Sequence, residues 1–410
     1  MKNSQVDPSD HEVLAPRYVE SFACLGPDCP DHCCRGWAKI SIDEDTLQAW
    51  KVISLPGQAS PLAERTHMTD AGAAPAEMAG HLKLDPTSSA CSLLTESRLC
   101  SVHATLGEAF IPAGCRYPRA RVLAGTREAS YLSTGCPEVV RLVLERPDAL
   151  DLVSRRSSTP TASMHTYRRR TLGTASDMER DDPSTDAIEA TAELLADTAR
   201  QWIGHAGMSA WQAWSGHMAL FLDIVYAMQA SGDKASTIDM IVKLHAAPVK
   251  ITGLALPAAG IERLGPDAWP MHERLDMAVD RAQRAEARPG HSEAKHVLSC
   301  ALAALGLDQP GGKPADDQAC AAFGQAASEW FEPFDSQHRH LAKNFLLNRI
   351  GLANFPSGNA MQAVKDLIET AIHLEMVRVY LVGMAATKRA DFGAADYATV
   401  IQAYTRYAMR

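Results

Sequence analysis

Residues 24–37, CLGPDCPDHCCRGW, place four cysteines within eleven positions, and two of them are adjacent. Four further cysteines follow before residue 140: Cys91, Cys100, Cys115 and Cys136. Such a concentration of sulfur has four interpretations, namely a disulfide scaffold, a metal site, a catalytic thiol or a chance cluster. These interpretations differ in their chemistry, and the rest of the sequence helps to choose among them.

The length, composition and charge of the chain exclude several classes of protein. The chain has 410 residues, of which 46% are apolar and 22% charged, an ordinary globular composition with room for two domains. The formal net charge of −9 argues against a general nucleic-acid-binding protein. The first residues contain no apolar run typical of a secretory signal, and no segment is apolar enough to span a membrane. We therefore expect a cytoplasmic protein that does not associate with membranes.

The expected compartment bears on the cysteines, because disulfides rarely persist in the reducing cytoplasm. A cysteine cluster there is more typical of metal binding or catalysis. Cys300 and Cys320, the two cysteines outside the first third of the chain, lie in apolar helical sequence. We expect these two to be buried and to act as small hydrophobic residues.

The spacing of the cysteines favours iron–sulfur ligation, with zinc as the alternative metal. Zinc usually takes close pairs of ligands, whereas the spacings here are C-x4-C-x3-C-C, then C-x8-C-x14-C. Iron–sulfur clusters gather three or four thiolates at more varied spacing, and a 4Fe-4S cluster is expected. The adjacent thiols of Cys33 and Cys34 are expected to point apart, serving either two centres or one ligand and one packing role. The predicted metal ligands are Cys24, Cys29, Cys33, Cys34, Cys91, Cys100, Cys115 and Cys136.

The pattern of residues predicts a mainly α fold. Residues 1–150 are interpreted as an irregular, cysteine-rich, metal-binding part with short β strands, including a hairpin within 121–134. A short helix over 44–53 is expected to be capped by Asp43 or Asp45, and another to begin at Pro137. Residues 151–186 are predicted to form a linker or surface loop, and residues 187–410 are predicted to form a helical domain. Within that domain, helices are expected at 336–350 and after residue 359.

Three cysteine-bearing segments, 24–43, 91–120 and 131–145, resemble the flagellin lysine-N-methylases. The resemblance extends to two helical segments, HLAKNFLLNRIGLANFP at 340–356 and the sequence at 379–407. It implies a protein-lysine N-methyltransferase that transfers methyl groups from S-adenosylmethionine to flagellin, its protein partner. The segment CSLLTESRLC departs from the family, which has Pro-Phe after its first cysteine, and this affects local packing more than ligation.

A looser resemblance connects the cysteine-rich third to small bacterial proteins described as zinc- or iron-chelating. It supports an alternative function, that of a chelating or redox protein without methyl-transfer activity.

The sequence lacks the usual binding motifs for S-adenosylmethionine. It has neither a glycine-rich turn after a strand nor the C-x3-C-x2-C motif on a β/α barrel. We therefore expect the cofactor to bind the cluster itself, because a cluster held by three thiolates leaves one iron open. Polar transfer would need a neutral lysine amine, and the sequence does not choose between polar and radical routes.

A few other residues are candidates for binding roles. Arg116 and Arg119, beside Cys115, are predicted to bind the carboxylate of the cofactor, or else to balance the cluster charge. His340, Asn344 and Asn348 recur at four-residue spacing on one helical stripe. They predict either a binding site for the substrate lysine or a buried polar network.

Overall fold

The computed structural model describes residues 11–35, 40–68, 79–116, 118–124, 127–157, 196–204, 209–214, 269–288, 293–307, 314–353, 355 and 360–409. Within these ranges the protein is mainly helical, with short strands arranged in two small sheets. The predicted predominance of helix, with short strands in the first part of the chain, is confirmed.

The first sheet has four strands in the order β5-β6-β1-β7. Their bounds are β1 His11–Pro16, β5 Arg119–Ala124, β6 Arg127–Leu132 and β7 Leu152–Ser157. Strand β1 pairs in parallel with β6 and antiparallel with β7. Strands β5 and β6 are antiparallel neighbours, which confirms the predicted hairpin. Strand β7 occupies the start of the segment interpreted as a linker, and residues 158–186 lie outside the described residues.

The second sheet is the centre of a small hydrophobic core. It comprises β2 Ser41–Ile42, β3 Thr66–Met68 and β4 Gly80–Leu82 in the order β2-β4-β3. Two short helices accompany it, α1 Glu44–Trp50 and α2 Ser101–Leu106. The Asp43 carboxylate accepts a hydrogen bond from the Thr46 amide at 2.8 Å, so the predicted helix cap is confirmed and falls on Asp43.

The helices form a second, larger core. Their bounds are α3 Pro137–Glu145, α4 Met271–Glu286, α5 Val297–Ala303, α6 Asp317–Ala326, α7 Glu332–Gln337, α8 His340–Ala353, α9 Ala360–Lys388 and α10 Ala394–Ala403. Residues 196–204 and 210–214 are also helical. As predicted, α3 begins at Pro137, with Cys136 as its N-cap. None of the helices in the described ranges is both long and apolar enough to span a membrane.

The large core draws residues from both sides of position 150. Val139 and Val143 of α3 belong to it together with Leu341 of α8 and Tyr404, which follows α10. Helix α9 packs closely on α5, where a Cβ atom at Gly383 would collide with the carbonyl group of Ala301. The boundary near residue 150 therefore stays a prediction, since helix α3 is part of the same core as the later helices.

A buried ion pair joins the first cysteine segment to the residues that follow α10. The Arg406 guanidinium lies 3.1 Å from the Asp31 carboxylate, and the two side chains are 8% and 6% exposed. Arg406 also donates hydrogen bonds to the backbone carbonyls of Asp31 and His32. The Asp31 carboxylate accepts further hydrogen bonds from Tyr407 at 2.9 Å and from Gln402 at 2.6 Å. This ion pair and its hydrogen bonds fix the cysteine segment against the helices.

Buried amides on α8 hold the first part of the chain against the helices. The Asn344 side chain donates to the carbonyls of Val143 and Arg146, at 2.8 and 2.7 Å. The Asn348 oxygen accepts a hydrogen bond from the Tyr18 hydroxyl at 2.7 Å. Because these amides pair with groups of the protein itself, their contacts correspond to the buried polar network considered above.

We expect Asn344→Ala to lower the free energy of unfolding by about 2 kcal/mol, because two buried carbonyls lose their donor. Urea unfolding followed by circular dichroism measures the change. His340→Ala is the matched control, since this half-buried residue lies one turn earlier on α8, and its replacement should change stability much less. Equal stability of the Asn344 variant and the wild type would contradict the structural role.

Candidate metal centre

All eight cysteines predicted as metal ligands line a single cavity of about 360 Å³. They come from separate parts of the chain: the segment 24–34, the loop around 91, the N-cap of α2, the turn Ala113–Arg116 and the N-cap of α3. None of them is in a disulfide, and all are free thiols. The fold thus brings together sulfurs that are as much as 112 positions apart in the sequence (136 − 24).

One wall of the cavity is built on the small core. Cys91 is a buried member of that core, and Cys34, Cys100 and Cys115 pack against it. The Cys91 amide donates to the Cys34 carbonyl at 2.9 Å, which ties the two loops together. Isolated bridges pair Cys91 with Leu84 and position Cys100 at the start of α2.

The opposite wall is more open to solvent. Cys24 is exposed, and its sulfur accepts a hydrogen bond from the Gly26 amide at 3.5 Å. Gly26 has a φ of 56°, a backbone conformation that favours glycine. The Arg98 guanidinium donates to the Cys29 carbonyl at 2.7 Å and so connects this loop to the loop that precedes Cys100.

Cys136 reaches the cavity from the N-terminus of α3. Its thiol lies at hydrogen-bonding distance of the amides of Glu138 and Val139, in the first turn of the helix. Amides and the helix dipole at this position favour a negatively charged sulfur. Burial opposes them and is the larger effect, so the pKa of Cys136 rises to about 11.

Most of the other thiols also hold their protons more tightly than a free cysteine. Burial raises the pKa of Cys91 to about 11 and that of Cys115 well above its usual value. The neighbouring cysteine sulfurs contribute to both shifts, because thiolates close together repel each other. Without bound metal, the thiols of Cys91 and Cys115 are therefore neutral at neutral pH.

The adjacent pair Cys33 and Cys34 differs from what the sequence predicts. Their thiols hydrogen-bond to each other, so the expectation that they point apart is wrong. This hydrogen bond lowers the pKa of Cys33 to about 7, with help from the nearby Arg406 guanidinium, and raises the pKa of Cys34. Cys33 is thus the thiol of this pair that ionises near neutral pH.

The sulfurs do not converge tightly on a single point. Across the described part of the chain, no group of three or more His, Cys, Asp or Glu side chains is arranged to hold one metal ion. The cavity wall also contains a histidine nitrogen, a type of atom that binds metals. The Nε2 atom of His32 is buried and has no hydrogen-bond partner among the described residues, while the ring bonds the Pro27 carbonyl.

The other residues predicted to form the site either do not line the cavity or have side chains outside the described residues. The side chains of Arg116 and Arg119 are outside the described residues, although their backbone belongs to the turn before β5 and to β5 itself. His340, Asn344 and Asn348 are on α8 and are not among the residues that line the described cavity. Both asparagines are 1% exposed, and their substrate-binding role stays a prediction.

The two later cysteines were expected to be buried in helices. Cys320 packs against the large core but is only half-buried, so the prediction is confirmed for it in part. Cys300 lies in α5 but is exposed, so that prediction is wrong for Cys300. Neither residue lines the described cavity.

Sequence reasoning missed five charged or titratable residues on the cavity wall: Asp31, His32, Arg98, Glu138 and Arg406. Asp31 and His32 stand inside the opening cysteine segment, where their position alone could have drawn attention to them. Arg98 carries one local signal in the structure, a φ of 62°, which is uncommon for a residue other than glycine. Arg406 carries no sequence signal, because it meets the cavity only through the tertiary fold.

Comparison with known proteins identifies related sequences. Residues 275–409, which run from within α4 to beyond α10 and include Arg406, match the FliB lysine N-methylase C-terminal domain. Proteins named Lysine-N-methylase from Salmonella choleraesuis and Salmonella typhimurium are each 24% identical over 346 residues, covering 84% of this chain and 79% of theirs.

A further relative supports the same assignment. The flagellar biosynthetic protein FliU of Salmonella muenchen is 31% identical over 168 residues, which are 38% of this chain and 92% of that protein. No solved structure matches the chain. On the strength of the domain match and of these relatives, the chain belongs to the FliB lysine N-methylase family.

Proposed function

We propose that this protein transfers methyl groups from S-adenosylmethionine to lysine side chains of flagellin in the cytoplasm, using an iron–sulfur cluster held by the cysteine cavity. The observation that carries the proposal is the meeting of eight cysteines, distant in sequence, around one cavity. Lysine methylation is supported by the names of two relatives, and a flagellar substrate by the name of a third.

The arrangement of donors supports a cluster over a lone zinc ion. Four thiolates at about 2.3 Å from one zinc ion would place their sulfurs only about 3.8 Å apart. The described cysteines do not converge on one ion in this way. A cluster holds its thiolates farther apart, because iron and sulfide atoms stand between them. Cysteine sulfur is also the donor that iron–sulfur clusters prefer.

The chain's own residues would orient the cofactor. When bound, the cluster would supply an open iron position for the amino and carboxylate groups of S-adenosylmethionine. Arg98 is placed beside it, since one of its nitrogens bonds the Cys29 carbonyl and the guanidinium has further donors for a carboxylate. Its left-handed backbone costs about 1 kcal/mol, so the surrounding loop must hold Arg98 in place.

The cavity also suits a lysine side chain. Leu25 and Leu99 line it while remaining 37% and 38% exposed, and they offer apolar contact for the lysine stem. Burial in this largely enclosed, partly apolar cavity would lower the pKa of an entering amine. A neutral amine has the free electron pair that polar methyl transfer requires, so these surroundings favour the polar route.

Flagellin incubated with S-adenosylmethionine and the protein purified without oxygen should gain mass in steps of one methyl group on lysines. Peptide mass spectrometry locates the modified residues, and protein stripped of iron by a chelator is the control that should be inactive. Iron-loaded protein that never methylates flagellin would contradict the proposal and favour the chelating or redox alternative.

Replacing Arg98 tests the cofactor site. We expect Arg98→Ala to raise the KM for S-adenosylmethionine roughly tenfold, since a charged hydrogen bond contributes about 1.5 kcal/mol. Its iron content and kcat should stay close to those of the wild type. Arg146→Ala is the matched control, because Arg146 is an exposed arginine paired with Asp148 that does not line the cavity. An unchanged KM for the Arg98 variant would exclude this role.

Iron loading should strengthen as the pH rises from about 6.5 to 8.5, because thiols bind iron as thiolates. Cys91 and Cys136 have pKa values of about 11, so both are protonated at neutral pH and must lose a proton on binding. Loading of iron-free protein in weak buffer with a pH indicator should therefore release protons. Loading that is independent of pH and releases no protons would show that these thiols are not ligands.

A further inference from the structure

We infer that the cavity holds two metal centres rather than one, each bound by its own set of four cysteines. This inference rests on the proposed function, because it assigns the ligands of the proposed cluster chemistry. The inner set consists of Cys34, Cys91, Cys100 and Cys115. The interface set consists of Cys24, Cys29, Cys33 and Cys136.

Packing separates the inner set from the other thiols. Its four members are the cysteines that belong to the small core or pack against it. A backbone hydrogen bond of 2.9 Å from Cys91 to Cys34 ties two of them together. Electrostatic effects alone do not separate the sets: Cys91 and Cys100 act on the thiols of Cys34 and Cys115, and so does Cys33, which lies next to Cys34. The inner set is therefore a compact group anchored in one core.

The interface set bridges the two parts of the protein. Cys136 packs against the large core through α3, whereas Cys24, Cys29 and Cys33 lie on the segment held by Arg406. Cys29 and Cys33 both act electrostatically on Cys136, and Cys24 and Cys33 act on Cys29. A metal bound by this set would connect the cysteine segment to the first turn of α3.

The two sets meet at the adjacent residues Cys33 and Cys34. Their thiols hydrogen-bond, so the two centres would lie side by side. Their surroundings differ, because the inner set is packed on a core whereas the interface set includes the exposed Cys24 and lies beside Arg98. The inner centre thus suits a structural role, and the interface centre suits cofactor binding. The exposed Cys24 is the ligand that the cofactor would displace most easily.

Iron and sulfide analysis of protein purified without oxygen tests the number of centres. If each set holds a four-iron cluster, the wild type should contain about eight iron atoms per chain. Cys100→Ser in the inner set and Cys136→Ser in the interface set should each remove about half of the iron, and the double variant nearly all of it. Cys300→Ser is the matched control, since Cys300 is exposed and outside the cavity, and it should retain all the iron.

Electron paramagnetic resonance tests which of the two centres binds the cofactor. The reduced wild type should show splitting from two neighbouring centres, and each single variant the simpler spectrum of one. S-adenosylmethionine should alter the spectrum of Cys100→Ser, which keeps the interface centre, and leave that of Cys136→Ser unchanged. If the inner variant misfolds, Cys34→Ser replaces it, with circular dichroism as the check on folding.

The outcomes separate this inference from the proposed function. About four iron atoms in the wild type, with all iron lost from either single variant, would show one centre and overturn the inference while leaving methylation by one cluster intact. Wild-type protein without iron that still methylates flagellin would instead overturn the proposed cofactor. A cofactor-dependent change in the Cys136→Ser spectrum would overturn the division of roles.

Discussion

The cysteine cavity depends on the buried ion pair between Asp31 and Arg406. Desolvation makes such a pair costly, and its geometry offsets the cost, because Arg406 also donates to backbone carbonyls while Tyr407 and Gln402 donate to Asp31. Removing one partner would leave the other as an uncompensated charge in the interior. The pair therefore specifies one position for the cysteine segment more than it adds stability.

This position has a consequence for metal binding. The segment 24–34 contains few regular elements, and its cysteines pack mainly through loops and caps. A metal that bridges these loops to α3 would add its binding free energy to that of the folded state. The helices share a large apolar core, whereas the cysteine-rich part of the chain has a small one. The small core is thus the part whose stability would depend most on bound metal.

Sequence patterns predicted the features that arise from neighbouring residues. The Asp43 cap, the hairpin of β5 and β6, and the start of α3 at Pro137 each follow from a local rule of backbone geometry. The cysteines were identifiable because their number and order are unusual. The hydrogen bond between Cys33 and Cys34 was not, since side-chain direction in an irregular loop depends on tertiary contacts.

The residues that complete the cavity also could not be predicted from local sequence patterns. Arg406 meets Asp31 across 375 positions, and no local pattern marks an arginine at the end of an amphipathic helix as part of a distant site. Asn344 and Asn348 were identified by their spacing on one helical stripe. Spacing alone does not say whether a polar stripe faces a ligand or the protein backbone, and packing of α3 and β6 against α8 supplies the backbone partners.

The order of strands in the first sheet affects how the protein is made. Strand β1 lies between β6 and β7, which are translated more than a hundred residues after it. Until those strands emerge, β1 has no partner on either side, and its unpaired amides and carbonyls can pair with other chains. The nascent chain is therefore exposed to aggregation in the interval between the synthesis of β1 and that of its partners, when a ribosome-associated chaperone would protect it.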